Sequence, residues 1–249
     1  VAKLHLLGTG AAASDGSRTT TMLAFEQGAT LLLVDCGGDA AQRLAAHGLD
    51  PAALSAIILT HEHADHVAGF PLLLERMWLA GRQAPVDVYG IEPALAQARR
   101  VHDAFDTSAW PNYPAVRYHP VAIGEHAPVL EDDAFAVIAS PGRHSVPSVG
   151  LRLREQTSGR VVAYSGDTGY AEAIVRLAQG ADLLVHEATD HPETHSLAQD
   201  AGRVAHEAAV GALVLVHLPP GFDAGDGLQR ARAVFPHTTA GADGATLTF

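Results

Sequence analysis

Ile58-Leu-Thr-His61-Glu-His63-Ala-Asp65-His66-Val-Ala-Gly-Phe-Pro71 decides the fold. Ala56 to Thr60 reads as a short buried strand, and Val67 to Ala80 has the apolar spacing of a helix, which puts His-x-His-x-Asp-His in the connection between them. Open α/β sheets place their chemistry at such strand-to-helix connections. Three imidazoles and a carboxylate within six residues cannot all be buried unpaired, because each would carry an unmet polar or charged group inside. A bound metal resolves the conflict.

Composition narrows the kind of metal site. The chain has 249 residues, 47% of them hydrophobic and 18% charged, as a packed globular protein requires, and is expected to form a single domain over 1–249. Its one cysteine, Cys36, excludes intramolecular disulfides and any cysteine-rich zinc site, so ligation rests on nitrogen and oxygen donors. The N-terminal apolar run is too short for a signal peptide and no run approaches membrane-spanning length, which points to a cytoplasmic protein without a membrane partner. Sixteen basic against 28 acidic residues give a formal charge of −12, a surface that repels phosphate polymers.

Outward from the central stretch, the chain reads as α/β layers. Lys3 to Gly8 is a strand, followed by a turn-rich loop from Thr9 to Arg18. Thr20 to Glu26 and Thr30 to Val34 form a hairpin, and Asp39 caps a helix running to about His47. A strand at Pro85 to Tyr89 and a helix from Glu92 to Phe105 follow, and then the loop Trp110-Pro-Asn-Tyr-Pro114, placed here beside the pocket. Strands are read at Val116 to Pro120, Ala134 to Ser140, Ser148 to Arg154, Arg160 to Ser165, Asp182 to His186 and Ala212 to His217. Helices are read at Tyr170 to Ala178 and Leu197 to Ala209. This order predicts two sheets packed face to face with helices outside.

The remaining polar chemistry recurs where strands stop. His144, Asp167, His186 with Glu187, and His217 each stand at a strand end. One such residue alone is ordinarily a satisfied structural group; together with His-x-His-x-Asp-His they read as a site. The other histidines, His5, His47, His102, His119, His126, His191, His206 and His237, lack that context and are taken as surface or packing residues.

With these positions in view the sequence resembles the metallo-β-lactamase superfamily, and within it the ribonuclease Z-like branch. The resemblance runs from Leu6-Leu-Gly-Thr-Gly10 to the His217 region and is carried by the central motif with its Asp65-His66-Val-Ala-Gly-Phe-Pro71 extension and by Val88-Tyr-Gly90. It implies a four-layer αβ/βα sandwich. It also implies two divalent ions, one held by His61, His63 and His144, the other by Asp65, His66 and His217, with Asp167 between them. Zinc is the default for such donors, and manganese and iron accept similar sets. Asp35 would orient a ligand from behind. His195-Ser196 stands 22 residues before His217, the family spacing of a general-acid histidine paired with Glu187.

The resemblance thus implies hydrolysis by a hydroxide held between two metals and aimed by Asp65, with His195 protonating the departing alkoxide. The departures from the family pattern narrow the substrate. Ribonuclease Z grips tRNA with a basic, glycine-rich arm between the third and fourth metal motifs, whereas here only 22 residues, Ser145 to Gly166, separate His144 from Asp167. The threonine usual after His-Ser is Leu197. Arg18 and Arg143 are the nearest candidate phosphate contacts. The first expectation is a phosphodiesterase for small or cyclic phosphodiesters, with nucleic acid disfavoured by the charge and the missing arm and a homodimer compatible with the sequence. The alternatives are tRNA 3′-end processing with a partner subunit, hydrolysis of a non-phosphate ester, thioester or lactam, and a non-catalytic metal-binding protein.

Overall fold

The computed structural model describes residues 1–13, 16–191 and 193–249; Ser14 and Asp15 of the Thr9 to Arg18 loop therefore lie outside the described residues. The first half of the chain runs β1 (Lys3–Gly8), β2 (Met22–Gln27), β3 (Thr30–Val34), α1 (Ala40–Ala46), β4 (Ala56–Leu59), α2 (Ala64–Val67), α3 (Phe70–Leu79), β5 (Val86–Ile91), α4 (Glu92–Asp103) and β6 (Val116–Val121). The second half continues with β7 (Ala127–Glu131), β8 (Phe135–Pro141), β9 (Val149–Glu155), β10 (Val161–Tyr164), α5 (Glu172–Ala178), β11 (Leu183–Glu187), α6 (Ala198–Glu207), β12 (Ala212–Val216), α7 (Gly227–Val234), β13 (Thr238–Ala240) and β14 (Thr246–Thr248).

These strands form two seven-stranded sheets, ordered β14-β1-β2-β3-β4-β5-β6 and β13-β12-β11-β10-β9-β8-β7. The fully buried strands β4 and β10 read Ala-Ile-Ile-Leu and Val-Val-Ala-Tyr, apolar on both faces, as strands covered on both sides must be. The sheets meet through side chains such as Phe25 of β2 and Phe135 of β8, whose rings lie edge to face with centroids 6.5 Å apart. Helix α4 packs on β5 and β6, α5 on β8 to β10, and α6 on β11 and β12, completing the four layers. Ile174, Leu177, Ala201 and Val204 form the apolar face that α5 and α6 bury on the second sheet.

Parallel pairing aligns the strand ends that carry the chemistry. In the first sheet Val34 pairs with Ile58, so Asp35 and Thr60 leave the sheet side by side. In the second, Tyr164 pairs with Val185 and Glu187 with Val216, so Asp167, Glu187 and His217 emerge at one edge. Asp35 and His217 take left-handed φ values of 60° and 54°, an uncommon conformation for side-chain-bearing residues and one that recurs at functional turns.

Three expectations are corrected. The helix read over Val67 to Ala80 is two helices, α2 and α3, separated at Ala68 and Gly69. Gly69 donates its N–H to the Cys36 carbonyl at 2.9 Å, and a Cβ there would lie 2.0 Å from the Gly38 carbonyl oxygen, so this close approach ends the first helix. Pro71 then suits the first turn of the second. Asp65 and His66 accordingly sit in α2 rather than in a loop. The Trp110 to Pro114 loop does not border the strand-end pocket: Trp110 stacks on Trp78 with centroids 4.7 Å apart and, with Tyr113, lines a separate hollow over Pro71 and Glu75. Strands β7, β13 and β14 and helix α7 were not anticipated. The last two strands are three residues long, too short to show an alternating pattern.

Candidate metal centre

The connections after β4, β8, β10 and β12 bring two groups of donors together. His61, His63, His144 and Asp167 form one, and Asp65, His66, Asp167 and His217 the other, each with its donor atoms within 4.8 Å of one another and Asp167 common to both. Asp167 Oδ2 lies 3.4 Å from His66 Nε2, 3.3 Å from His217 Nε2 and 3.7 Å from His61 Nε2. His61, His66, Asp167 and His217 are all but fully buried.

The imidazoles are held from behind. His66 Nδ1 donates to Asp35 Oδ2 at 2.8 Å, and His144 Nδ1 to the Thr194 carbonyl at 2.8 Å. Thr60 gives its hydroxyl proton to Asp35 at 2.9 Å and stands 3.1 Å from His61 Nδ1, so that nitrogen is the donor of the pair. Thr189 Oγ1 donates to Glu187 at 2.8 Å and stands 2.6 Å from His217 Nδ1 in the same relation. With Nδ1–H committed outward, each Nε2 turns a lone pair inward. His63 turns Nδ1 inward instead, 3.1 Å from Nε2 of both His61 and His144. Lone pairs facing one another repel unless a cation lies among them, and outward N–H donation is the pattern that orients metal-binding histidines.

Two further observations test the fit of a metal. His66 Nε2 and Asp167 Oδ1 are buried without a hydrogen-bond partner. Such orphans cost free energy unless a ligand satisfies them. The protonation pattern agrees: burial pushes the His61 imidazole down to about 2, against the raising effect of Asp167, so it is neutral and able to ligate. Burial alone would raise the Asp65 and Asp167 carboxyls, but His217 and His66 hold both well below the usual range, as anions. His66 departs from this: although burial pushes its imidazole down, Asp167 and Asp35 hold it well above the usual range, so it carries a proton that a bound cation would displace. A neutral His61 with anionic carboxylates on nitrogen and oxygen donors suits divalent zinc, manganese or iron.

Beside these groups, His195 Nδ1 contacts Glu187 Oε1 at 2.8 Å. Burial pushes the His195 imidazole down, but the Glu187 hydrogen bond and charge overcome it and leave its pKa raised. Glu187, His195 and His217 also lie within metal-ligating distance of one another. Glu187 is instead a brace, since its two oxygens already accept from the Thr168 and Thr189 backbone N–H groups and from the Thr189 hydroxyl. His186 faces away from Glu187 by strand alternation and is buried.

The structure thus assembles His61, His63, Asp65, His66, His144, Asp167 and His217, with Asp35, Glu187 and His195 around them. It does not bring in the two arginines. Arg18 forks onto Asp223 at 2.7 and 3.0 Å and also donates to the Gly241 carbonyl, so it is a structural tie and not a phosphate contact. Arg143 is exposed, with its guanidinium against Gly169, and does not line the pocket. Sequence reasoning missed Thr60, Thr189 and the Thr194 carbonyl; Thr60 directly precedes His61 and Thr189 stands two residues after Glu187, but nothing local marks the third. His191 is exposed, as read from the sequence, and it also lines the pocket along with Ala11, Ala12 and Ala13, which nothing local signals.

Comparison with known proteins agrees with this architecture. The family profile described as "Beta-lactamase superfamily domain" matches residues 30–218. The chain is similar to the protein named ribonuclease Z from Synechococcus sp. (strain WH7803), with 31% identity over 97% of this chain and 94% of that one. It is likewise similar to the ribonuclease Z of Methanothermobacter thermautotrophicus, with 28% identity over 97% and 94%. Among solved structures, the metallo-β-lactamase fold protein YhfI from Bacillus subtilis superposes with a TM-score of 0.81 at 25% identity, covering the whole of both chains.

Proposed function

The chain is a hydrolase belonging to the metallo-β-lactamase superfamily, in its ribonuclease Z-like branch, and we propose that it is a dinuclear phosphodiesterase acting on small or cyclic phosphodiesters, formed as one domain over 1–249. His61, His63 and His144 would hold one divalent ion, Asp65, His66 and His217 the other, and Asp167 would serve both, zinc being the first choice of metal. Ions held there lower the pKa of water towards about 7 and neutralise phosphoryl oxygens.

The chain's own groups supply the rest. Asp65, kept anionic by His217 and His66 despite burial, accepts a hydrogen bond from the attacking water and aims it. His195, with Nδ1 on Glu187 and its pKa raised despite burial, holds its proton more firmly than a free imidazole and delivers it from Nε2 to the departing oxygen. The His195–Glu187 contact at the pocket is the observation that carries the phosphodiester reading, because an alkoxide leaving group needs a proton and the thiolate of a thioester does not.

His195→Ala tests it. Rates on a diester with an alkoxide leaving group should fall about 10²–10⁴-fold, and much less with nitrophenolate, which departs unprotonated. With the alkoxide substrate, kcat of the unsubstituted protein should also decline as pH rises through the raised His195 pKa, a limb that the nitrophenyl ester should lack. Equal losses on both substrates would sink the acid role.

Two observations favour other readings. The relatives above carry the name ribonuclease Z, which favours tRNA processing; against it, the 22 residues between His144 and Asp167 form only β9, β10 and their connections, with no arm among them. Among the described residues the pocket is lined by no Lys or Arg, which suits a non-phosphate ester or lactam. Reconstituted protein assayed against cyclic nucleotides, model diesters, pre-tRNA, thioesters and a lactam separates these readings, and inactivity on all would favour a non-catalytic metal-binding protein.

A further inference from the structure

The pocket in front of the metal centre holds about 500 Å³, enough for a small organic substrate. Of its polar lining, His63, Asp65, Asp167 and His217 belong to the donor groups already described. Thr189 is committed to Glu187 and His217, and His195 to Glu187. The remaining wall divides into two chemistries. Ala11, Ala12, Ala13, Ala64 and Pro219 are small and apolar, and among the described residues opposite chemistry comes from His191 and Thr194.

His191 and Thr194 belong to the turn that carries His195. The His195 N–H donates to the His191 carbonyl at 2.8 Å, and the His191 and His195 rings lie edge to face with centroids 6.3 Å apart. Thr194 Oγ1 stands 3.4 Å from His191 Nδ1, and His191 itself is solvent-exposed. The assignment in which the Thr194 hydroxyl donates to Nδ1 puts the ring proton on Nε2, so that the open side of the ring offers a donor. A donor next to the proton-delivering histidine stands beside whatever departs from it.

We infer that His191 and Thr194 form a leaving-group subsite that selects substrates whose leaving alcohol is uncharged and carries an oxygen acceptor near the scissile bond. A single anionic phosphoryl group faces the metal centre, and no fixed cation lines the wall to receive a second one among the described residues. The alanine wall admits a small apolar flank. This subsite rests on the phosphodiesterase reading for its turnover test but not for its binding test.

The experiment compares uridine 2′,3′-cyclic phosphate with ethylene phosphate, the same five-membered cyclic diester stripped of ribose and base, on zinc-reconstituted protein. The nucleoside substrate should be preferred, and His191→Ala should shrink that preference about five- to tenfold, through KM more than kcat, as loss of one neutral hydrogen bond does. His191→Gln, which keeps a donor, should recover part of it. In parallel, calorimetric titration with uridine 3′-monophosphate should show about fivefold weaker binding to the alanine variant at unchanged zinc content. Equal losses on both cyclic diesters, or nucleotide binding indifferent to His191, would overturn the subsite. Nucleotide binding that depends on His191 in a protein that hydrolyses neither diester would retain the subsite and remove the phosphodiesterase reading. Robust hydrolysis with no effect of His191 would do the reverse.

Discussion

The two sheets build the metal centre in opposite ways. The first contributes a compact cassette: Asp35 after β3, His61 and His63 between β4 and α2, and Asp65 and His66 within α2, joined through Thr60 and the Asp35–His66 hydrogen bond. The second contributes single residues from separate strand ends, His144 after β8, Asp167 after β10 and His217 after β12, with Glu187 ending β11. A Cβ on Gly37 would lie 1.7 Å from the Asp65 carbonyl oxygen, so the cassette is pressed together by backbone contact. In the second sheet strand register brings the donors together, and hydrogen bonds to Thr189 and the Thr194 carbonyl orient His217 and His144. One half of the site is set by local chain geometry and the other by β-pairing, and the substitutions that separate them have graded consequences.

The largest effect is expected where the halves meet. Asp167→Asn removes a charge shared by both donor groups, so metal content should drop below two ions per chain and activity should fall more than about 10²-fold, beyond the 10–100-fold typical of losing an outer partner. Elemental analysis with steady-state rates checks this; two tightly held ions in the variant would remove Asp167 from its place between the sites. A smaller, selective effect follows from opposing His66→Ala and His144→Ala. The first should empty the Asp65–His217 group preferentially and the second the His61–His63 group, each leaving one ion bound. Loss of both ions from either variant would show the two halves to be a single cooperative unit.

The smallest effect concerns Glu155, at the far end of β9. It accepts from the Ser158 hydroxyl and backbone, from the Thr157 N–H at 2.8 Å and from Gln27 of β2 at 3.1 Å, linking the two sheets. Ser158 holds the Glu155 carboxyl down to about 2, against the effect of burial, from an ordinary value of 4.5. Because the folded pKa lies below the unfolded one, its contribution to stability is complete above about pH 4.5 and is lost as pH falls towards 2. Urea unfolding of metal-free protein should show Glu155→Gln to be destabilising near neutrality and to flatten the acid slope over that window. An unchanged slope would mean that the carboxylate is not preferentially stabilised in the fold.

That division also explains what could be read without coordinates. His-x-His-x-Asp-His between an apolar strand and an amphipathic segment is a local pattern, so the motif itself placed the first half of the site and implied a metal. His144, Asp167 and His217 gained meaning only beside that motif, and their division between two ions only through the family resemblance, because a histidine or aspartate at a strand end is common in any α/β chain. The helix break at Gly69 escaped notice because its cause is the approach of Cys36 and Gly38, more than 30 positions earlier in the chain.

The sequence by itself determined the α/β alternation, the nitrogen and oxygen donor chemistry and the absence of an inserted arm, all of which are written in neighbouring residues. Only the tertiary structure decided which polar side chains converge. It gave Arg18 to Asp223, turned Trp110 and Tyr113 to a separate hollow, and set the exposed His191 against the pocket. It also supplied the partners, Thr60, Thr189 and the Thr194 carbonyl, that point each lone pair inward. The physical reason is range: strand and helix patterns arise from contacts a few residues apart, whereas a donor's direction is fixed by hydrogen bonds such as that of His144 with Thr194, 50 positions apart.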